Sequence, residues 1–338
     1  MSDEIDQAVA PRRKKISIVS PCYNEELNVE YCYNTVKELF EKELSSYERE
    51  HIFSDNCSSD RTVEILREIA AKDKSVKIIL NSRNFGGFRS IFNALTYATG
   101  DATLVFLAVD LQDPPELLPE FVRHWESGFE VVAGARRQRE EGAILRFCRH
   151  VFYRLVNGLS DFEIPPDVGE FQLIDQKVWR VVVNNHDHYP FIRGIIASAG
   201  FKRIIVPYTW KRRKHGKSKT NFGALIDQAL NGIFSFTNAP LRFCSLVGLG
   251  LAGACVLYAM AALALQILEP GLAPPGISTL IVALFFLGGV QLFFIGMLGE
   301  YVTAIHAQVR RSNAIVVERE LINIDPADRI ARKKALES

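Results

Sequence analysis

The sequence predicts an α/β domain built on a mostly parallel sheet, followed by a pair of membrane-crossing helices. Three observations carry that prediction. Residues 16–110 alternate short apolar runs with helical patterns, the signature of parallel strands joined by crossover helices. The apolar runs end in tips rich in Asp, Asn, Ser and Gly. Between residues 243 and 299 a single charge, Glu269, interrupts the chain.

The elements follow in order. Residues 16–20 form a buried strand, and 26–44 carry a helical pattern. Residues 51–55 are a second strand, and 60–71 a helix for which Asp60 supplies the cap. A third strand spans 76–80, a helix 89–99, and a fourth strand 103–109. A further strand covers 131–133. The charge-free runs, 243–268 and 270–299, are 26 and 30 residues long. A helix needs about 20 apolar residues to cross a bilayer. Spans near 243–267 and 278–299 therefore fit, with Pro270-Gly271 and Pro274-Pro275-Gly276 as the turn between them. Arg242 precedes the pair, Arg310 and Arg311 follow it, and the loop between has no Lys or Arg. The positive-inside rule then puts both ends in the cytoplasm. Residues 1–15 contain no apolar run, so no signal peptide is expected.

Composition narrows the function. The chain has 338 residues, 48% hydrophobic and 23% charged, with a formal net charge of +1. This excludes a disordered chain or a disulfide scaffold and argues against a nucleic-acid binder. The six cysteines (22, 32, 57, 148, 244, 255) form no CxxC pair and are expected reduced. His186 and His188 lack a third metal ligand and belong to a polar loop.

In an open parallel sheet, ligands bind beyond the carboxyl ends of the strands. The four tips there are Pro21-Cys22-Tyr23-Asn24-Glu25, Asp55-Asn56-Cys57-Ser58-Ser59-Asp60, Ser82-Arg83-Asn84-Phe85-Gly86-Gly87 and Asp110-Leu111-Gln112-Asp113-Pro114-Pro115. No GxGxxG or GxxxxGK[ST] occurs at these tips, which counts against a dinucleotide fold or a P-loop. Turn chemistry explains any single tip. Four on one edge, with two acidic clusters and an arginine, point to a site.

The series PCYNEE, SDNCSSDRT, NSRNFG, VDLQDPPE, GEFQLID and RKHGKSK resembles family 2 glycosyltransferases of the membrane-bound polyprenyl-phosphate type, over about residues 15–310. The resemblance implies a GT-A fold, a nucleotide-diphosphate-sugar donor, a divalent metal (Mg²⁺ or Mn²⁺), and transfer to a polyprenyl phosphate with inversion. It implies that Pro21, Tyr23 and Glu25 hold the nucleoside and that Asp55 accepts hydrogen bonds from the base. Asp110 and Gln112 match the segment near the diphosphate and its metal. Arg83 and Arg136 are further candidates for donor contact, with Arg137 beside the latter.

Two departures stand out. The family usually reads Asp-Ala-Asp-Leu-Gln-Asp; here Ala108 replaces the first carboxylate. Asp110 alone then holds the metal together with substrate phosphates and water, or Asp113 helps, or the chain is a non-catalytic relative that binds nucleotide or lipid. The first reading is favoured because the other motifs are largely intact. Asn56 stands where many relatives carry Asp; its amide still makes hydrogen bonds.

Glu170 matches a segment often given a general-base role. A lipid phosphate has a second pKa of about 6 and is mostly ionised at neutral pH. Glu170 is therefore expected to orient the acceptor more than to remove a proton; a solvated strand-edge carboxylate is the plain alternative. Residues 201–220 hold eight Lys or Arg and no acid, a cluster that anionic headgroups attract. The family pattern R-x-x-G-x-S-K lands there on Arg213, Gly216, Ser218 and Lys219, expected at the lipid and donor phosphates. Helical stripes over 144–156 and 222–234 suit docking at the bilayer surface.

The expected organisation is an N-terminal tail (1–15), a cytoplasmic catalytic domain (16–210), a basic loop with a juxtamembrane helix (211–240), two transmembrane helices (241–310) and a cytoplasmic C-terminal tail (311–338), in a bacterial inner membrane. Gly248, Gly250, Gly253, Gly288 and Gly289 would permit close helix packing, including in a homo-oligomer. A processive polysaccharide synthase would need more spans and a Q-x-x-R-W motif, which is absent.

Overall fold

A computed structural model describes residues 12–136, 167–185, 190–210, 239–268, 276–309 and 316–325. The chain divides into two compact units, one holding the sheet and the other the two long helices.

The sheet unit is built from β1 (Lys15–Cys22), α1 (Val29–Glu43), β2 (Glu48–Asp55), α2 (Thr62–Lys72), β3 (Val76–Asn81), α3 (Gly87–Leu95), β4 (Ala102–Leu104), α4 (Leu118–Glu126), β5 (Val131–Arg136), β6 (Val168–Asp175), α5 (Gln176–Val183), α6 (Ile192–Ser198), β7 (Arg203–Tyr208) and β8 (Glu318–Ile322). The eight strands lie in the order β7-β5-β6-β4-β1-β2-β3-β8. β1, β2, β3 and β4 pair in parallel, as do β5 and β7, whereas β6 and β8 run antiparallel to their neighbours. The strands β1 to β4 are buried nearly throughout because helices cover both faces. On one face Ile16, Ile18, Phe53, Ile78 and Leu104 pack with Val36, Leu66 and Phe121 from α1, α2 and α4.

The opposite face carries a buried polar cluster under α3. Glu50 Oε1 accepts from Lys77 Nζ at 2.9 Å and from the Thr99 hydroxyl at 2.6 Å. Burial alone would raise the Glu50 carboxyl; the Lys77 charge and hydrogen bonds from Lys77, Ser17 and Thr99 outweigh it and hold it below its ordinary value.

Several expected boundaries move. The helix expected from residue 26 begins at Val29, because residues 25–28 form a turn in which Asn28 and Val29 N–H donate to Glu25 O at 2.9 and 3.0 Å. The helix expected over 89–99 ends at Leu95 and continues as i→i+3 turns. The strand expected over 103–109 is regular only to Leu104. Beyond it the chain alternates partners: Val105 N–H donates to Gln172 O on β6 and Leu107 N–H to Val19 O on β1, both at 2.8 Å.

A larger correction concerns the expected C-terminal tail. Residues 318–322 form β8, an antiparallel edge strand on β3. Five residues with weak alternation carry little signal against a charged background. Tertiary pairing decides the matter: Val316 is buried, and Asn323 Nδ2 donates to Ala70 O and Val76 O at 2.8 and 3.0 Å.

The second unit holds α7 (Ala239–Leu268) and α8 (Ile277–Val309). At 30 and 33 residues they run about 45–50 Å, longer than the ~30 Å hydrocarbon core. Their apolar residues face outward: Leu249, Leu268, Leu280 and Leu292 are each more than 70% exposed. Helices apolar all round belong in a protein core or a bilayer, and among the described residues no core covers these leucines. Residues Phe286–Thr303 meet the length and hydropathy of a span with none of that stretch buried. A methyl group at Gly248, Gly250, Gly253, Gly288 or Gly289 would meet no atom of the described residues within 4 Å.

Candidate active site

The parallel register sets the carboxyl ends of β1, β2 and β3 side by side, with Cys22 opposite Asp55. The Leu107–Val19 bond brings residues 108–110 alongside the end of β1. Arg136 pairs with Tyr208 at the ends of β5 and β7, and its N–H donates to Asp167 O at 3.1 Å, so antiparallel β6 begins on this same edge. The topology thus brings Tyr23, Glu25, Asp55, Asp110, Arg136 and Glu170 to one edge of the sheet.

Backbone conformation marks the edge. Non-glycine residues with positive φ are Asn24 (53°), Cys57 (65°), Leu111 (52°), Asp167 (66°) and Asn323 (57°) among the described residues. The first four sit at tips of this edge. Asn and Asp tolerate the left-handed region, whereas for a buried leucine it is an outlier. Such strain clusters where a fold holds a chain in a working geometry. At Leu111 it turns the chain between Asp110 and Gln112.

The first two tips are laced together. Asn24 N–H donates to the Ser58 hydroxyl at 2.8 Å, and Ser59 N–H to Asn24 Oδ1 at 2.8 Å. Glu25 N–H donates to the Thr62 hydroxyl at 2.9 Å. Asp60 accepts from Thr62 N–H at 3.0 Å and from Glu26 N–H at 3.2 Å, so it joins the tips as well as tying down the start of α2. Asp55 is buried; it accepts from Ser58 N–H at 2.9 Å and from the Ser58 hydroxyl. Burial raises its carboxyl, and the Ser58 hydrogen bonds only partly offset this. Tyr23, on the first tip, is 37% exposed.

Asn56 connects the second tip to the third. Its Oδ1 accepts from Asn81 Nδ2 at 3.1 Å and Phe85 N–H at 3.2 Å, while its Nδ2 donates to Gly86 O at 3.2 Å. An aspartate could not make that last bond, so this departure from the family pattern is built into the loop. Arg83 is exposed and stacks on Phe85 at 4.0 Å.

At the fourth tip, Gln112 N–H donates to Asp110 Oδ1 at 3.3 Å. Among the described residues no three His, Cys, Asp or Glu side chains converge to hold a metal. The tip offers one half-buried carboxylate, Asp110, and one half-buried amide, Gln112. That set fits a divalent ion sharing its coordination with substrate phosphates and water.

Asp113 does something else. It is 1% exposed, and Arg136 Nη2 donates to its Oδ1 and Oδ2 at 3.1 and 3.3 Å. The Tyr208 hydroxyl also donates to Oδ1, and Arg136 Nε donates to the Tyr208 oxygen at 3.1 Å. The Trp210 ring lies 4.8 Å from the Arg136 guanidinium. The suggestion that Asp113 helps hold a metal is therefore corrected: its oxygens serve Arg136 and Tyr208.

Glu170 is not a solvated edge carboxylate. Its side chain is 16% exposed and lies 3.7 Å from Arg193 Nε on α6. At that separation the two attract without a hydrogen bond, and both facing atoms lack one. Arg193 and Tyr208 were not singled out in the sequence. Their signal was weak, an arginine in an apolar helix and a tyrosine ending an apolar strand.

The candidates Arg213, Ser218 and Lys219, with Arg137, the helical stripes over 144–156 and 222–234, His186 and His188, lie outside the described residues. Cys22 and Cys32 are free and buried, and Cys57 is free and exposed.

Residues 17–182 match the family model "Glycosyl transferase family 2", and residues 239–305 match "GtrB C-terminal hairpin". The chain is 35% identical to the uncharacterized glycosyltransferase YkcC of Bacillus subtilis, covering 91% of this chain and 94% of that one. It is also 35% identical to a prophage bactoprenol glucosyl transferase homolog of Escherichia coli, covering 90% of this chain and 99% of the other. Among solved structures, a mannosyltransferase from Pyrobaculum calidifontis, in complex with GDP-Man and Mn²⁺, aligns over 89% of this chain and 88% of its own, at 16% identity and a TM-score of 0.45.

Proposed function

The chain belongs to glycosyl transferase family 2, and on that footing we propose that it moves one sugar from a nucleoside-diphosphate-sugar to a polyprenyl phosphate at the membrane surface. The observation that carries the reading is the gathering of Asp55, Asp110, Arg136 and Glu170 on one sheet edge, in a chain whose next described elements are two apolar helices. Relatives named bactoprenol glucosyl transferases support a polyprenyl acceptor and make a nucleoside-diphosphate-glucose the first donor to test.

The chemistry follows from the groups present. An ionised acceptor phosphate oxygen attacks the anomeric carbon, the bond to the diphosphate breaks, and the nucleoside diphosphate leaves. One such displacement inverts the configuration. The attacking oxygen is already anionic, so no strong base is needed. Glu170, held near Arg193, orients the acceptor, and Arg193 beside it supplies positive charge. Charge grows on the leaving diphosphate. Arg136 is placed to stabilise it, and Asp110 and Gln112 would hold a divalent cation that neutralises it further. Tyr23, Glu25, Asp55 and the adjoining Pro21 form the nucleoside side, with Arg83 at its rim. Arg213, Ser218 and Lys219 are the assigned contacts of the lipid phosphate.

We place both ends of the hairpin on the cytoplasmic face. β7 precedes α7 and β8 follows α8, and both strands belong to one sheet. A hairpin that leaves and rejoins one folded domain crosses the bilayer an even number of times.

The test is to incubate the purified chain with a labelled nucleoside-diphosphate-glucose, undecaprenyl phosphate and Mn²⁺ or Mg²⁺, then extract the lipid. Labelled glycolipid is expected from wild type, falling at least a hundredfold in Asp110→Ala. Equal product from Asp110→Ala would remove Asp110 from the site.

A further inference from the structure

We propose that Asp113 and Tyr208 form a clamp that fixes the Arg136 guanidinium for the donor diphosphate, making Asp113 a positioning residue and not a metal ligand. The inference rests on the functional reading above and deepens it at one residue.

The geometry is specific. Arg136 has three nitrogens, and two are committed: Nη2 to both oxygens of Asp113, Nε to the Tyr208 oxygen. Nη1 makes no hydrogen bond among the described residues. The Trp210 ring covers the guanidinium at 4.8 Å, a stacking that restrains rotation. An arginine fork held in this way loses little freedom when an anionic oxygen takes the remaining nitrogen.

The clamp is itself immobilised. Asp113 is 1% exposed and precedes two buried prolines, Pro114 and Pro115. The Tyr208 ring packs on Phe171 with centroids 5.5 Å apart. Beneath both rings lies Gly134, where a Cβ would sit 2.8 Å from Phe171 Cδ1 and 2.9 Å from Tyr208 Cε1. Glycine is required there by close approach. The clamp thus ties the loop bearing Asp110 and Gln112 to the ends of β5 and β7.

Metal ligation by Asp113 is disfavoured on the same grounds. A divalent ion at Asp113 would lie beside a guanidinium nitrogen only 3.1 Å from the carboxylate oxygen. Like charges at such separations in a buried site repel strongly.

The experiment uses the full chain in detergent and titrates UDP and GDP, each with Mn²⁺, by calorimetry. It compares wild type with Asp113→Asn, Tyr208→Phe, Arg136→Lys and the Asp113→Asn/Arg136→Lys pair, with a thermal melt of each. Tyr208→Phe keeps the ring packing and removes only the hydroxyl, so it serves if Asp113→Asn fails to fold. Asp113→Asn and Arg136→Lys are each expected to weaken the bound diphosphate about tenfold. The double variant is expected to be no weaker than the worse single, and Tyr208→Phe to lose about threefold. The Mn²⁺ concentration for half-saturation at saturating nucleotide is expected to stay within twofold of wild type. A tenfold higher Mn²⁺ requirement in Asp113→Asn, with Arg136→Lys unchanged, would overturn the clamp in favour of a metal ligand. Additive losses, or lowered melting with unchanged nucleotide affinity, would also overturn it. Wild type that binds neither diphosphate would overturn the functional reading and the clamp with it, whereas binding by wild type with unaltered variants overturns the clamp alone.

Discussion

Asp55 shows how a single residue links burial to function. Its carboxyl is raised because it sits out of water, with Ser58 supplying only partial compensation. The ionised form accepts hydrogen bonds; the protonated form gives up one acceptor and the charge. Nucleotide affinity should therefore be full above the raised pKa and fall as pH drops through it, beginning at a higher pH than for an ordinary aspartate. Nucleotide titrations across acidic pH in wild type and Asp55→Asn would check this. The variant should bind weakly and show a flatter acid limb; an identical limb in both would assign the titration elsewhere. The sequence marked Asp55, Asp110 and Glu170 because acids at strand tips are visible as a pattern. It did not mark Arg193 or Tyr208, since their contacts with Glu170 and Asp113, 23 and 95 positions away, leave no local trace.

Among the elements, the central strands are held by more than apolar packing. Glu50 on β2 and Lys77 on β3 form a nearly buried ion pair, and Glu50 also receives bonds from Thr99. Glu50→Gln would leave the Lys77 charge without its counter-ion, which costs about 3–5 kcal/mol for buried pairs. The Glu50 carboxyl lies below its ordinary value, so its stabilisation is present above the unfolded pKa and lost as pH falls through the folded one. Thermal melts against pH should show the variant below wild type at neutral pH, with the gap narrowing on the acid side as wild type loses this contribution. Equal melting at neutral pH would contradict the assignment.

β8 is one of the elements that local pattern did not reveal. Its surface pair with α2, Arg67 to Glu320, is 47% and 38% exposed and worth little. The ladder on β3, the buried Val316 and the Asn323 bonds carry the attachment. Ser82 N–H also donates to Val317 O at 2.8 Å, so β8 braces the tip containing Arg83. Ending the chain at residue 315 should lower the melting temperature and weaken nucleotide binding together. An unchanged melt would show that β8 is dispensable. Periodicity exposed α1 to α3, the strands β1 to β3 and the two long helices, because long apolar patterns outweigh local noise. Boundaries failed where a turn or an antiparallel neighbour took over the backbone bonds, as at residues 25–28 and 105–107.

At the scale of the molecule, two different surfaces share one chain. One is a sheet whose carboxyl edge gathers acids, amides and Arg136; the other is a pair of helices that expose many leucines. A net charge of +1 says little about either, because acids at the site and bases elsewhere cancel. The most direct measurement of the account is to follow nucleoside diphosphate release and lipid-linked sugar in one reaction, with and without undecaprenyl phosphate. The account predicts that release depends on the lipid and matches the glycolipid one to one, with a single sugar on each lipid. Nucleotide binding without turnover, whichever common donor is supplied with Mg²⁺ or Mn²⁺, would contradict it and identify the chain as a binding protein.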